Sequence, residues 1–201
     1  MTLLVRYCRQ RLPLRLLVPV VVGLTSATIW AAGTEAPRLA MRAGVLILLL
    51  MVQFRLWDDL EDAAGDRVHH PERLLPRVPP GPFRVAAVGL AGAALALASV
   101  VPASAVALLL LDLAFVTAYR GRRYVGDTPW RYGVLLLKYP AFVVIAALAT
   151  GAAADVDRLL AAAAVAYVVA AAYEGWHVHR PAVPAGDRTL GSTDLPSGIR
   201  R

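Results

Sequence analysis

Sulfur, lysine and charge are scarce in this chain. Cys8 is the only cysteine in 201 residues, which excludes an intrachain disulfide and a disulfide-stapled small domain. Charged residues make up 17% of the sequence, whereas a soluble domain carries about 25%. Lysine is nearly missing: Lys138 is the one basic residue that is not arginine, and an arginine excess of this kind is consistent with a GC-rich bacterial genome. The glycines form no G-x-G-x-x-G or G-x-x-x-x-G-K-S/T string, which excludes the common phosphate loops. The serines form no nucleophile elbow. What is abundant is apolar: 58% of the residues are hydrophobic and the mean hydropathy is +0.58. That balance excludes a disordered or collagen-like chain and argues for a membrane protein.

A helix needs roughly 20 apolar residues to cross a bilayer core. Six stretches qualify: Leu12–Ala32, Leu39–Trp57, Val85–Val101, Ala103–Tyr119, Tyr132–Thr150 and Leu159–Trp176. The third and fourth meet at Pro102 and predict a tight helical hairpin. The sixth is rich in alanine and is the weakest of the set. The expected fold is therefore all-α, a multi-span transmembrane bundle of about six helices. It forms one domain over residues 1–180, followed by a flexible polar tail over 181–201. A cleavable signal peptide is the alternative reading of the first stretch, but its apolar run of about 21 residues exceeds the usual 7–15.

The arginines sort by loop. With six spans both termini share one side, and that side receives 17 arginines, while Arg38, Arg42 and Arg158 fall on the other. The positive-inside rule then places both termini, the 58–84 loop and the 120–131 loop in the cytoplasm of a bacterial cell. The basic pI does not point to nucleic acid, because no aromatic residues interleave with these arginines as a stacking platform requires.

Five acids lie within nine positions directly after the second span: Asp58, Asp59, Glu61, Asp62 and Asp66. On a continued helix Asp58, Asp62 and Asp66 share one face, and Asp59 joins Asp62 at i, i+3. Like charges at this spacing cost about 0.2–0.5 kcal/mol per pair, and the C-terminal end of a helix already disfavours anions. A compensating positive charge is expected. Arg55 and Arg67 are two candidates. Mg²⁺ is a stronger one, because it takes oxygen ligands, accepts one or two carboxylates and completes its shell with water and phosphate. A solvated acidic loop paired with arginines is the plain alternative.

The run Phe54-Arg-Leu-Trp-Asp-Asp-Leu-Glu-Asp-Ala-Ala-Gly-Asp66 resembles the first aspartate-rich motif, N-D-x-x-D-x-x-x-D, of UbiA-type intramembrane prenyltransferases. Asp58 takes the Asn position, and Asp59, Asp62 and Asp66 match the three Asp positions. The following Arg73-Leu-Leu-Pro-Arg-Val-Pro-Pro-Gly81 is similar to the basic Pro- and Gly-containing segment of that family. The resemblance implies Mg²⁺ held by Asp58, Asp59, Asp62 and Asp66, with Asp62 and Asp66 in the catalytic role. It also implies an isoprenyl diphosphate donor, a hydrophobic or aromatic acceptor, and an allylic carbocation-like species shielded from water by the helices. The family's second motif, D-x-x-x-D after the sixth helix, is not present in that form. Tyr173-Glu-Gly-Trp-His-Val-His-Arg180 resembles a variant of it, which would make Glu174 a further metal ligand and leaves Asp187 a poor candidate. The chain is also shorter than usual for the family, which has about nine helices. The motif resemblance covers residues 54–81; the layout resemblance covers most of the chain.

Other polar residues carry two readings each. Asp112 lies within the fourth span, where an acid costs about 2.5–3.5 kcal/mol; it either faces a substrate cavity or bonds to a neighbouring helix, with Lys138 as partner. Lys138 either snorkels or points at the diphosphate. Arg67, Arg73, Arg77, Arg122 and Arg123 either bind diphosphate oxygens or form the ordinary basic flank of the spans. His69, His70, His177 and His179 read as solvated interfacial residues rather than a zinc site. The expected function is a Mg²⁺-dependent membrane prenyltransferase. The alternative is a non-catalytic subunit that binds a prenyl diphosphate or a protein partner, and a homo-oligomer is open. The signature of the CDP-alcohol transferases, a second class with acids at the cytosolic face, is absent.

Overall fold

Long apolar runs dominate the chain, and each one folds as a helix. The computed structural model describes residues 2–121 and 129–178. Among them there is no strand. The helices are α1 (Leu3–Arg11), α2 (Leu14–Ala32), α3 (Pro37–His69), α4 (Gly81–Ala98), α5 (Pro102–Gly121), α6 (Pro129–Leu136), α7 (Lys138–Thr150) and α8 (Val156–Val178). A single 3₁₀ turn, Leu75–Arg77, sits between α3 and α4. Six spans are long and apolar enough to cross a membrane, with α6 and α7 together forming the fifth. The six expected stretches are all there. The expected tail, including His179 and Asp187, lies outside the described residues.

Prolines set several boundaries. Pro13 ends α1, because the residue before a proline avoids helical angles; Leu12 sits at φ −120°, ψ 66°. A separate short helix thus precedes the first stretch, which folds as the span α2. Pro37 and Pro102 each stand at a helix start, where a missing N–H costs nothing. Pro102 follows a turn at 99–101 and closes the expected hairpin. Pro140 divides the fifth stretch: it cannot donate to the Leu136 carbonyl and its ring crowds that group. The chain responds with a tight Leu137 N–H to Val134 carbonyl bond of 3.1 Å, and α7 begins afresh at Lys138. Gly33, at φ +59°, closes α2 in the left-handed conformation that glycine tolerates best. Asp155 caps α8, its Oδ1 accepting from the backbone N–H of Asp157 at 3.0 Å and of Arg158 at 3.2 Å.

The bundle core is centred on α3 and α7. Leu46, Ile47, Leu50 and Phe54 of α3 meet Phe142, Val143, Ile145 and Ala146 of α7, all buried. α7 also packs against α2, α5 and α8. The outer faces are the reverse of a soluble protein: Leu14, Leu16 and Val18 of α2, Leu109, Leu110 and Leu113 of α5, and Val165, Val168 and Val169 of α8 are exposed. Apolar surface of that extent is matched by lipid rather than water.

α3 has 33 residues, so it is roughly 50 Å long against a hydrocarbon layer of roughly 30 Å. Its last turns, 58–69, project past the spans and carry the acids. A second, smaller core packs around this projection, formed by Tyr7 of α1, Leu56 of α3, Leu74 and Leu75 of the turn, and Phe83 of α4. We call the end of the bundle with this cap the near end.

Candidate functional site at the near end of the bundle

Successive residues on a helix point about 100° apart. Asp58 and Asp59 therefore face different neighbours. Asp58 turns into the mouth of the bundle, where Tyr119 of α5 donates to Oδ1 and Lys138 of α7 donates to Oδ2. The break at Leu137 positions Lys138: as the first residue of α7 it points inward and is buried, not snorkelling along the flank. Asp59 turns toward the cap. Tyr7 Oη donates to its Oδ2 at 2.8 Å, Arg11 Nε donates to Oδ2 at 2.9 Å, and the other Arg11 nitrogen reaches Oδ1. Arg55, one turn back on α3, lies 3.4 Å from Oδ1.

Asp66 is buried and accepts from Arg73. Arg73 thus pairs with an acid of the motif, and Arg55 is a partner of Asp59 as expected. Arg67 is exposed on α3. Arg77 lies on the far side of Leu74 and donates from Nε to the Pro71 carbonyl. Asp62 is half-buried between the two groups on the same helix. Glu61 and His70 are exposed, and His69 Nδ1 lies 3.0 Å from the Gly65 carbonyl. Glu174 of α8 is close enough to Tyr139 of α7 to act on it electrostatically, together with Asp58. Arg122, Arg123 and the His177 side chain lie outside the described residues.

The acids named as one metal set are thus distributed over two faces. Among the described residues no three His, Cys, Asp or Glu side chains gather closely enough to hold a metal ion between them. The positive compensation expected for the cluster is supplied in this structure by Arg11, Arg55, Arg73 and Lys138. Two phenols and the short helix α1, docked through Tyr7, had no counterpart in the sequence reading. Tyr7 and Arg11 stand at i, i+4 on α1, one apolar and one basic position of an amphipathic turn, and that spacing is the signal that marks them. Burial first, then the charge of Asp59 and its hydrogen bond, pushes the Tyr7 phenol well above its ordinary value. The hydrogen bond to Asp59 likewise raises Arg11.

Below the mouth the bundle interior is aromatic. Phe54 meets Phe115 edge-to-face at a centroid distance of 4.9 Å, and Phe142 and Trp57 at a tilt at 5.3 and 5.7 Å. Trp57 and Phe115 in turn reach Tyr119 at 5.7 and 6.0 Å. Deeper in the spans Asp112 accepts from Gln53 Nε2 at 2.9 Å. Its partner is not Lys138, because Asp58 holds that ammonium. Gln53 Oε1 is buried and accepts no hydrogen bond from the described residues.

This architecture defines the class: an all-helical, multi-span bundle of the kind that integral membrane proteins adopt. No protein-family model matches the chain, and comparison with curated proteins and with solved structures gives no match.

Proposed function

We propose that this protein transfers an isoprenyl group from an isoprenyl diphosphate to a hydrophobic or aromatic acceptor at the near end of the bundle, which faces the cytoplasm. The observation that carries the reading is the mouth itself. The carboxylate of Asp58 and the cation of Lys138 sit directly above the rings of Phe54, Trp57, Phe115, Tyr119 and Phe142. A diphosphate needs positive charge, and a developing allylic cation gains about 0.5–2 kcal/mol from each well-placed aromatic face. Both are supplied within one helix turn of each other. In the reaction the C–O bond to the diphosphate breaks with its electron pair on oxygen, the acceptor bonds to the allylic carbon, and the acceptor releases a proton. Lys138 supplies positive charge near the leaving group, and the helices exclude water.

The donor set suits Mg²⁺ in chemistry, since every candidate is a hard carboxylate and two suffice when phosphate completes the shell. Asp62 with Asp58 or Asp66 would hold the ion, which neutralises charge on the diphosphate. Glu174 of α8, which like Asp58 acts electrostatically on Tyr139, is a further acid for the site.

The test is binding of labelled geranylgeranyl diphosphate to the full chain in detergent, with Mg²⁺ or with chelator. Saturable binding that needs Mg²⁺ and weakens at least about tenfold in Asp62→Asn is expected. Equal binding with and without Mg²⁺, or none by a folded sample, overturns the reading. The existing ion pairs of Asp58, Asp59 and Asp66 favour one second reading, a non-catalytic subunit in which they are structural. Mg²⁺-dependent binding without turnover of any acceptor, in wild type and Glu174→Gln alike, would select it.

A further inference from the structure

The cap has a second side. Between α1 and the segment 72–78 opens a cleft of about 440 Å³. Arg6 and Arg9 line it from α1 and Arg77 lines it from the 3₁₀ turn. Glu72 is the one acid among the lining residues, and Leu74 and Val78 add apolar wall. Three cations against one carboxylate leave a local surplus of two positive charges. The buried acids nearby do not offset it, because Asp59 and Asp66 face Arg11 and Arg73 in the neighbouring hollow.

The cations are held by the fold rather than hung on a loose tail. Tyr7, buried in the cap, orients α1, and on this helix Arg6 and Arg9 share a face at i, i+3. Gln10 Oε1 accepts from the Leu74 N–H at 3.2 Å and ties α1 to the turn. Arg77 is steadied by its Nε bond to the Pro71 carbonyl. Guanidinium groups drawn from two elements and converging on one cleft match the oxygens of a phosphate ester. The volume exceeds that of bare phosphate and accommodates a small ester.

The position favours a lipid source. α1 runs into the apolar α2 through two residues, Leu12 and Pro13. On α1 itself Leu3, Leu4 and Val5 are 38%, 39% and 44% exposed beside Arg6 and Arg9. Exposed apolar residues next to arginines, on a helix leading into a span, are the pattern of a helix lying in the headgroup layer. We propose that this cleft binds the phosphate ester of an anionic phospholipid from the leaflet that meets the near end. A soluble phosphate ester shares that chemistry, and the test separates the two. The inference uses neither the aspartates nor Mg²⁺ and stands apart from the proposed transfer reaction.

The experiment is native mass spectrometry of the full chain released from micelles holding equal phosphatidylglycerol and phosphatidylcholine. Wild type should retain phosphatidylglycerol in preference. The triple variant Arg6→Gln, Arg9→Gln, Arg77→Gln should retain at least about tenfold less. Arg38→Gln, at the opposite end of the bundle, should match wild type. Arg77→Gln alone should show a partial loss, so the proposal is still tested if the triple variant does not fold. Equal retention of the two lipids, or the same retention in every variant, overturns the proposal. Displacement of the lipid by equimolar soluble glycerol phosphate overturns the lipid source.

Discussion

The mouth and the cap are built on adjacent residues and have opposite surroundings. At the mouth Asp58 meets Lys138 and Tyr119 above a cluster of rings, and both partners come from spans. In the cap Asp59 meets Tyr7, Arg11 and Arg55, and two of the three come from a short helix outside the spans. The mouth is therefore held by the whole bundle, whereas the cap depends on the docking of nine residues of α1. A helix of that length is marginal alone, so Asp59 and α1 hold each other in place. The acidic run is one motif in the chain and two sites in space.

Removing the mouth cation should have the largest effect. Lys138→Met leaves the half-buried Asp58 carboxylate with only the Tyr119 hydroxyl, and losing a charge-assisted partner there costs about 3 kcal/mol. Thermal unfolding in detergent should show the loss, and Asp58→Asn in the same chain should restore much of it. A full-size loss that persists in the double variant would mean that Lys138 acts through packing, not through Asp58.

Arg11→Met should come next, at about 2 kcal/mol for a charge-assisted bond lost with Tyr7 and Arg55 still present. This loss should be local. Hydrogen exchange of the α1 amides should rise while that of α7 stays as in wild type. Exchange rising equally in both helices would erase the distinction between mouth and cap.

Tyr7→Phe should be the smallest of the three, at about 1 kcal/mol for one hydrogen bond, and it carries a pH signature. The phenol titrates above its ordinary value in the folded state because it is buried beside the Asp59 carboxylate. A raised folded pKa means that the contribution is fully present below the unfolded value of about 10 and is lost as pH rises beyond it. Exchange of α1 in the wild type should therefore accelerate above about pH 10, and Tyr7→Phe should flatten that part of the profile. An identical profile in both proteins would show that Tyr7 is not the titrating group.

Reading the chain alone located the spans well, for a local reason. Length and hydrophobicity of a run suffice, since lipid demands only an apolar surface and a satisfied backbone. The helical spacing of the acids was equally local, and α3 does continue through them to His69. The short helix α1 escaped because nine residues with three arginines present no apolar run. The break before α7 escaped too, although Pro140 marks it, because hydropathy is continuous across Leu137. Asp112 pairs with Gln53 rather than Lys138 for a reason that no helix-by-helix reading contains: Lys138 sits nearer the end of the bundle, within reach of Asp58.

Sequence alone thus determined that this is a multi-span helical protein and that its acids cluster at one end of α3. Those properties belong to segments of the chain, through hydrophobic length and helical period. Only the tertiary structure decided which cation meets which acid, because Asp58 and Lys138 are separated by 80 positions and Asp59 and Arg11 by 48. It also decided that neighbouring aspartates look into different sites. Such pairings depend on how helices rotate and dock against one another, and that rotation is set by the packing of Phe54, Phe142 and Tyr7 against residues far away in the chain.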